Sequence, residues 1–433
     1  MDLPVLAAAL EPYRNRRRWW LAYSGGVDSH VLLHAVAALA GAGGYPPLSA
    51  LHVNHGLNPR AGAWADHCRG VCAALGVELR VVEVEVRRNG GLGLEAAARQ
   101  ARYGAFERTL APGELLLQAH HGDDQAETLL LRLLRGAGPA GLAGIPAQRI
   151  LGRGELLRPL LGQSRAALLA YAEQHGLDWI HDDSNDDECH DRNYLRHRVL
   201  PLLEQRWPAC RATLGRAALQ AGEADVLLHD LAALDLAAAR RGEALDIPTC
   251  MTLSEPRRRN LLRHWLRALN LPLPGREQLQ QVLVQMTAAA DAQICVSWPG
   301  AQVLRFRDAL YALPPLVEVA DLEMPWPLPR PLSPPALGTL RAAAVSGRGL
   351  RADRTYQVRN RRGGERCKPQ GRAHSQSLKK LLQEADVPPW RRDRLPLIWC
   401  DGQLAAVADL WICEGYAAQS DQPGWAIEWD APA

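Results

Sequence analysis

The chain has 433 residues, 47% apolar and 22% charged, a globular composition spread over more length than one ordinary domain fills. About two or three domains are expected. The formal net charge of +3 hides an imbalance: Arg341 to Arg394 hold fifteen Lys and Arg against five Asp and Glu, whereas beyond Arg394 there are six acids and no Lys or Arg. That stretch is the footprint an anionic partner needs, although a solvated basic face reads the same way. No run of eighteen apolar residues occurs, so no transmembrane helix and no membrane partner is expected. The first apolar patch precedes the N-terminal arginines, the reverse of a secretory leader. Nine cysteines, an odd count with no Cys-x-x-Cys pair, suit reduced thiols in a cytoplasm better than disulfides or a zinc site.

In chain order, residues 19–26 read as a strand ending in a Gly turn, and 30–40 as the helix after it. Residues 48–56 form a second strand and 77–86 a third, alternating as a half-exposed strand does. A helix over 94–111, a strand over 115–121 and a helix over 123–135, with Gly136 just past its end, continue the pattern. Strands alternating with helices predict an α/β fold with a doubly wound, mostly parallel sheet over 1–210. From 211 to 323 the sequence turns to Ala/Leu-rich helices, one of them started by Ser254 and Pro256. The proline-dense stretch 324–339 reads as an extended linker, and 340–433 as a small, basic α+β domain.

Ser24, Gly25, Gly26, Val27, Asp28 and Ser29 fall between the first strand and the first helix, where a doubly wound sheet places a phosphate site. The glycines allow a tight turn, and the helix start adds unpaired amides and the positive end of its dipole. There is no Lys as in a Walker A loop. Asp28 beside a polyphosphate makes sense mainly with Mg²⁺ or another cation between them.

The polar ends of the second and fourth strands, His52 to Leu57 and Ala119 to Asp124, point to the same crevice. Asp124 and Glu127, three apart on one helix turn, suit an ammonium or guanidinium ligand, although acids at a helix start are favourable anyway. Glu95, Arg99 and Arg102 share a helix, where Glu95–Arg99 reads as a surface pair or one arginine offsets phosphate charge. Arg102 is the catalytic candidate among them.

The string SGGVDS resembles the loop of the PP-loop ATP pyrophosphatase superfamily. Further strings narrow the resemblance to the bacterial tRNA(Ile)-lysidine synthetases: HVNHGLNPRAGAWADHC (with Asn58 where that family usually has Arg), EAAARQARY, AHHGDDQAETLLLRLLRGAGPAGLAGI, DDSNDDECHDRNYLRHRVLP and the basic C-terminal segment. The resemblance implies an adenine-nucleotide α-hydrolase-like ATPase that uses ATP and Mg²⁺ to join free L-lysine to the wobble cytidine of a CAU-anticodon tRNA(Ile), through an adenylated cytidine. It implies that Ser24 to Ser29 bind ATP with Asp28 toward Mg²⁺, and that Asp124 and Glu127 hold lysine. Asp28, Arg102, Asp124 and Glu127 form the catalytic set. Arg192, Asn193, Arg196 and Arg198 are the implied tRNA contacts, joined in the basic domain by Arg361, Arg362, Arg366, Lys379 and Lys380. Rival readings are another PP-loop enzyme, such as a tRNA thiolase or an amidotransferase-type synthetase, and a non-catalytic RNA-binding module. The oligomeric state stays open, a homodimer included.

Overall fold

The computed structural model describes residues 1–86, 93–287 and 295–431. The chain divides into two compact units, Met1–Leu228 and His229–Ala433.

The first unit runs α1 (Leu3–Leu10), β1 (Arg18–Ala22), α2 (Val27–Gly41), β2 (Leu48–Asn54), α3 (Ala61–Ala74), β3 (Glu78–Glu83), α4 (Leu94–Thr109), β4 (Glu114–Leu117) and α5 (Gly122–Leu134). It continues with α6 (Pro139–Leu142), the hairpin β5 (Gln148–Leu151) and β6 (Gly154–Leu157), and α7 (Arg165–Gln174). The strands form one sheet in the order β3-β2-β1-β4-β6-β5, parallel except for β5. Alternation along β1 explains the two-sided core. Trp19 and Leu21 enter one cluster with α2, while Trp20 enters the other with Phe106 of α4. The central β4 is buried at all its positions, whereas β3 at the edge alternates between exposed and half-buried residues. Truncating a fully buried residue such as Leu115 to Ala would cost about 2–5 kcal/mol.

Chain connections leave β1 toward β2 on one side, and β4 lies on its other side. Such a switch point opens a crevice at the carboxyl ends of the strands. The strands are shorter than their apolar runs suggested, because their tails are the polar segments that line this crevice. The β5–β6 hairpin was not anticipated. Its strands have four residues each and turn at Gly152, so the segment reads as a loop.

In the second unit, Ser254 stands at the N-cap of the helix Glu255–Ala268, with Pro256 in its first turn. The stretch expected to be helical also holds a five-stranded antiparallel sheet, drawn from residues 240–313. Val296, Trp298, Ala301 and Val303 of its strands pack on Leu262 and Trp265 of that helix and on Leu279 of the next.

The reading of 324–339 as a linker needs correction. Glu323–Trp326 pairs with Tyr356–Arg359 as the edge strand of a second five-stranded sheet. Trp326 is buried with Tyr356, Val358 and Ile398. Prolines are tolerated there because an edge strand need not donate on both sides. Further on, Leu332 exchanges backbone hydrogen bonds with Leu340. Among the described residues no helix is long and apolar enough to cross a membrane.

Candidate active site

The loop after β1 is held by its own hydroxyls. Ser29 Oγ donates to the Gly26 carbonyl (2.9 Å) and accepts from the Ser24 amide (3.2 Å), and the two serine hydroxyls lie 3.1 Å apart. Gly25 has φ +87°, and a Cβ there would run into the Ile180 side chain. The positive φ therefore favours glycine, and a Cβ would also have to displace the end of the Ile180 side chain. Gly26 is the N-cap of α2 and places Val27, Asp28 and Ser29 in its first turn, with their amides toward the crevice.

Across the crevice, His121 at the N-cap of α5 is almost wholly buried. Its Nε2 lies 3.6 Å from Asp28 Oδ2 and 3.5 Å from Asp124 Oδ2, and its Nδ1 is 3.9 Å from Asp123 Oδ1. Burial pulls the imidazole pKa down, but the contact with Asp28 and the charges of Asp124, Asp28 and Asp123 outweigh it and leave the pKa raised. Asp124 also accepts from the His121 amide at 3.0 Å. Burial opposes its ionisation, yet His121, Arg192 and that amide hold its carboxyl below the usual range.

Asp124 and Glu127 already have partners. Beyond α7 the chain forms α8 (Asp191–Tyr194), a π-turn over Leu195–Val199, and α9 (Leu200–Arg206). Arg192 and Arg196 stand one turn apart and face the two acids. Arg192 donates to Glu127 Oε2 (2.7 Å) and Asp124 Oδ1 (2.9 Å). Arg196 donates to Glu127 Oε1 (2.6 Å) and Oε2 (3.0 Å). The π-turn has a covalent cause: Pro201 lacks an N–H and crowds the carbonyl four residues earlier, and the Leu200 amide reaches back to Leu195 instead. Asp123 has a separate task. It accepts from the Arg165 amide at the start of α7 (3.0 Å) and pairs with Arg211 (2.8 Å) in α10 (Cys210–Ala239).

The remaining expected site residues are placed as follows. Arg102 is half-buried at the crevice, and its charge adds to burial in lowering the pKa of His55 at the end of β2. Asn193 donates to the Asp187 carbonyl (2.9 Å), and Arg198 pairs with Glu188 (2.8 Å). The side chain of Glu95 lies outside the described residues. In the basic domain two of the five expected contacts are already answered by acids. Arg361 pairs with Asp393 and Arg362 with Asp321, while Arg366 donates to the Ser375 carbonyl. Lys379 and Lys380 are exposed and pair with no carboxylate among the described residues.

Nothing local in the sequence singles out Arg158, Arg149 and Arg211. Arg158 follows β6, which was itself unanticipated; position after an unrecognised strand carries no signal. Asp28 Oδ1 is buried without a hydrogen-bond partner. A hard cation held by one carboxylate and by substrate phosphates suits that orphaned oxygen. The three-ligand cluster Asp187, Cys189 and His190 is exposed and offers a soft donor set, which does not suit Mg²⁺.

Three family models match the chain: a PP-loop domain over residues 4–203, a TilS substrate binding domain over 245–311 and a TilS substrate C-terminal domain over 356–429. The chain is 46% identical over 418 residues to a tRNA(Ile)-lysidine synthase of Alkalilimnicola ehrlichii, covering 94% of this chain and 92% of that protein. It is 42% identical to the protein of the same name from Coxiella burnetii, covering 95% and 93%. Among solved structures, a U34-tRNA thiolase from Methanococcus maripaludis aligns with a TM-score of 0.43 at 17% identity, over 50% of this chain and 76% of that one.

Proposed function

The chain belongs to the tRNA(Ile)-lysidine synthase family, and we propose that it joins free L-lysine to the wobble cytidine of a CAU-anticodon tRNA(Ile), with ATP cleaved to AMP and pyrophosphate. One observation carries the assignment of roles. His121 touches both Asp28 of the nucleotide loop and Asp124 of the acid pair, so an adenylation centre and an amine site flank one imidazole.

The amides of the loop and of the first turn of α2 hold the ATP phosphates, with Ser24, and Ser29 once its hydroxyl turns from the Gly26 carbonyl, donating further hydrogen bonds. Asp28 would hold Mg²⁺, which when bound would supply neutralisation of the phosphate charge. The C2 carbonyl oxygen of cytidine attacks the α-phosphorus; its new O–P bond replaces the bond to pyrophosphate. Arg102 offsets the negative charge that accumulates. Adenylation turns a poor leaving group into AMP. The lysine ε-ammonium first gives a proton to a neighbouring carboxylate; the free amine then adds to C2 and sheds a second proton as the C2–O bond breaks and AMP departs.

Asp124 and Glu127 bind the ε-ammonium before it reacts. That ammonium takes over hydrogen bonds now made by Arg192 and Arg196, which frees guanidinium groups for tRNA phosphates along with Asn193 and Arg198. Lys379, Lys380 and Arg366 add a second grip on tRNA, beside the paired Arg361 and Arg362. A cytoplasmic setting follows from the substrate.

The test is mass spectrometry of a CAU-anticodon tRNA(Ile) transcript incubated with the protein, ATP, Mg²⁺ and labelled lysine. Labelled lysidine is the expected product. A thiolated or unmodified cytidine would overturn the reading.

A further inference from the structure

A second cluster lies beside the acid centre, where β4 and β6 end. Arg158 is 4% exposed. Its Nε donates to Gln118 Oε1 (3.2 Å) and to His120 Nδ1 (3.1 Å), its Nη1 to the Pro146 carbonyl (2.6 Å) and its Nη2 to the Tyr103 hydroxyl (3.3 Å). That hydroxyl in turn donates to Gln118 Oε1 (3.2 Å) and accepts from Arg99 Nη2 (3.3 Å). The guanidinium carbons of Arg99 and Arg149 lie 4.9 Å and 4.7 Å from the centre of the Tyr103 ring. Three guanidinium groups thus surround one phenol, and among the described residues no carboxylate pairs with any of them.

Two roles are separable here. Arg158 has every nitrogen engaged and serves as a post: it ties the segment before β5 to β4 and fixes Tyr103. Arg99 and Arg149 are exposed, and they are held against the ring instead of roaming in solvent. Like charges with no paired carboxylate among the described residues repel one another, and an anion placed between them relieves that repulsion. His120 Nδ1 accepts from Arg158, so the neutral ring carries its proton on Nε2 and offers a further donor.

The shape of the surroundings selects among anions. Arg149 lies on β5, the edge strand, and pairing of Gln148 with Leu157 puts the start of β5 at the carboxyl end of the sheet. Gln148, Arg149 and Ile150 are all exposed there, and Ile150 is 80% accessible. This open edge, with an aromatic between two arginines, suits a strand of nucleic acid passing over it better than a small enclosed anion. It also adjoins the chemistry: His120 contacts Arg158, and the next residue, His121, contacts Asp28 and Asp124.

We propose that Arg99 and Arg149, braced by Tyr103 and Arg158, bind a backbone phosphate of the RNA next to the nucleotide whose base enters the crevice. This rests on the tRNA-modifying reading above. The site makes the edge of the catalytic domain part of the RNA grip and holds the backbone still while one base is turned inward.

The experiment measures affinity for the full tRNA over a salt series with the intact protein and with Arg149→Ala, Arg99→Ala and the double variant. Loss of that one phosphate contact in the double variant should lower the slope of log K against log salt by about 0.7–0.9, with each single variant between it and the intact protein. Arg149→Lys should keep most of the slope, and unchanged thermal midpoints would show that the fold is intact. Tyr103→Phe keeps the ring and should leave the slope nearly unchanged, whereas Tyr103→Ala should lower it. Unchanged slopes and affinities in the double variant would overturn the proposal. A parallel arm measures inhibition by inorganic pyrophosphate: weaker inhibition in the double variant with an unchanged RNA slope would assign the site to the leaving group and also overturn it. Lysidine formation by the unmodified protein, followed alongside, separates failure of this site from failure of the overall reading.

Discussion

Arg196 grips Glu127 through two hydrogen bonds, Nε to Oε1 at 2.6 Å and Nη2 to Oε2 at 3.0 Å, and Glu127 is 0% exposed. Burial alone would lower the Arg196 pKa; the bond and charge of Glu127, with Asp124 and Asp28 behind it, raise it instead. A carboxylate this deep is tolerated because two guanidinium groups answer it. It is therefore the point in the crevice at which an incoming cation has most to gain and the resident guanidinium most to lose.

Glu127→Gln should raise the lysine requirement far more than the ATP requirement. The variant keeps the shape but loses the charge, and a truncated buried pair typically costs about 2–5 kcal/mol. Because Arg192 and Arg196 are partly solvated, the stability loss should fall at the lower end of that range. Steady-state KM values for both substrates and a thermal midpoint check this. Equal rises in both KM values would mean that the pair acts through the fold.

Asp28→Asn should abolish lysidine formation and shift the Mg²⁺ requirement of any residual activity upward. The Asp28 side chain is one-third exposed and one of its oxygens has no partner, so stability should change by less than about 1 kcal/mol. Normal turnover by a folded variant would remove Asp28 from the chemistry.

His120 makes a pH prediction. Burial pushes its pKa down to about 3, with Arg158, Arg192 and Arg99 reinforcing burial and Asp124 opposing it. The folded ring stays neutral while the unfolded one takes a proton near pH 6.5. Unfolded chains thus bind more protons between those values, and stability falls as pH drops from about 6.5 toward 3. Substituting His120→Gln should flatten that acid limb in a urea series at stepped pH. An unchanged limb would show that other groups produce it.

In the basic domain, Lys379→Ala with Lys380→Ala should weaken tRNA binding and reduce its salt slope by roughly 0.9 for each phosphate left unneutralised. Arg361→Ala should instead act mainly on stability, since Arg361 is already paired with Asp393 and is only 15% exposed. Truncation from Gly338, attractive if 324–339 were a linker, would strand Trp326 without Tyr356 and Val358, and should give an insoluble product. Filter binding and thermal melts of the single and double variants separate the two kinds of arginine and lysine.

The sequence by itself determined the alternation of strand and helix, the place of the SGGVDS turn after the first strand, and the helix start that bears Asp124 and Glu127. These are local properties: a glycine with positive φ, an apolar period and a cap each act within a few residues. Tertiary structure alone decided that Arg192 and Arg196 close on Glu127, across 65 and 69 residues of chain. It decided equally that Trp326 makes a proline-rich stretch part of a sheet, and that Asp430, Asp401 and Asp321, all outside the basic stretch, pair with Arg341, Arg354 and Arg362. Charge and burial are summed over space and not along the chain. A residue type announces that it needs a partner; only the fold says which one it has.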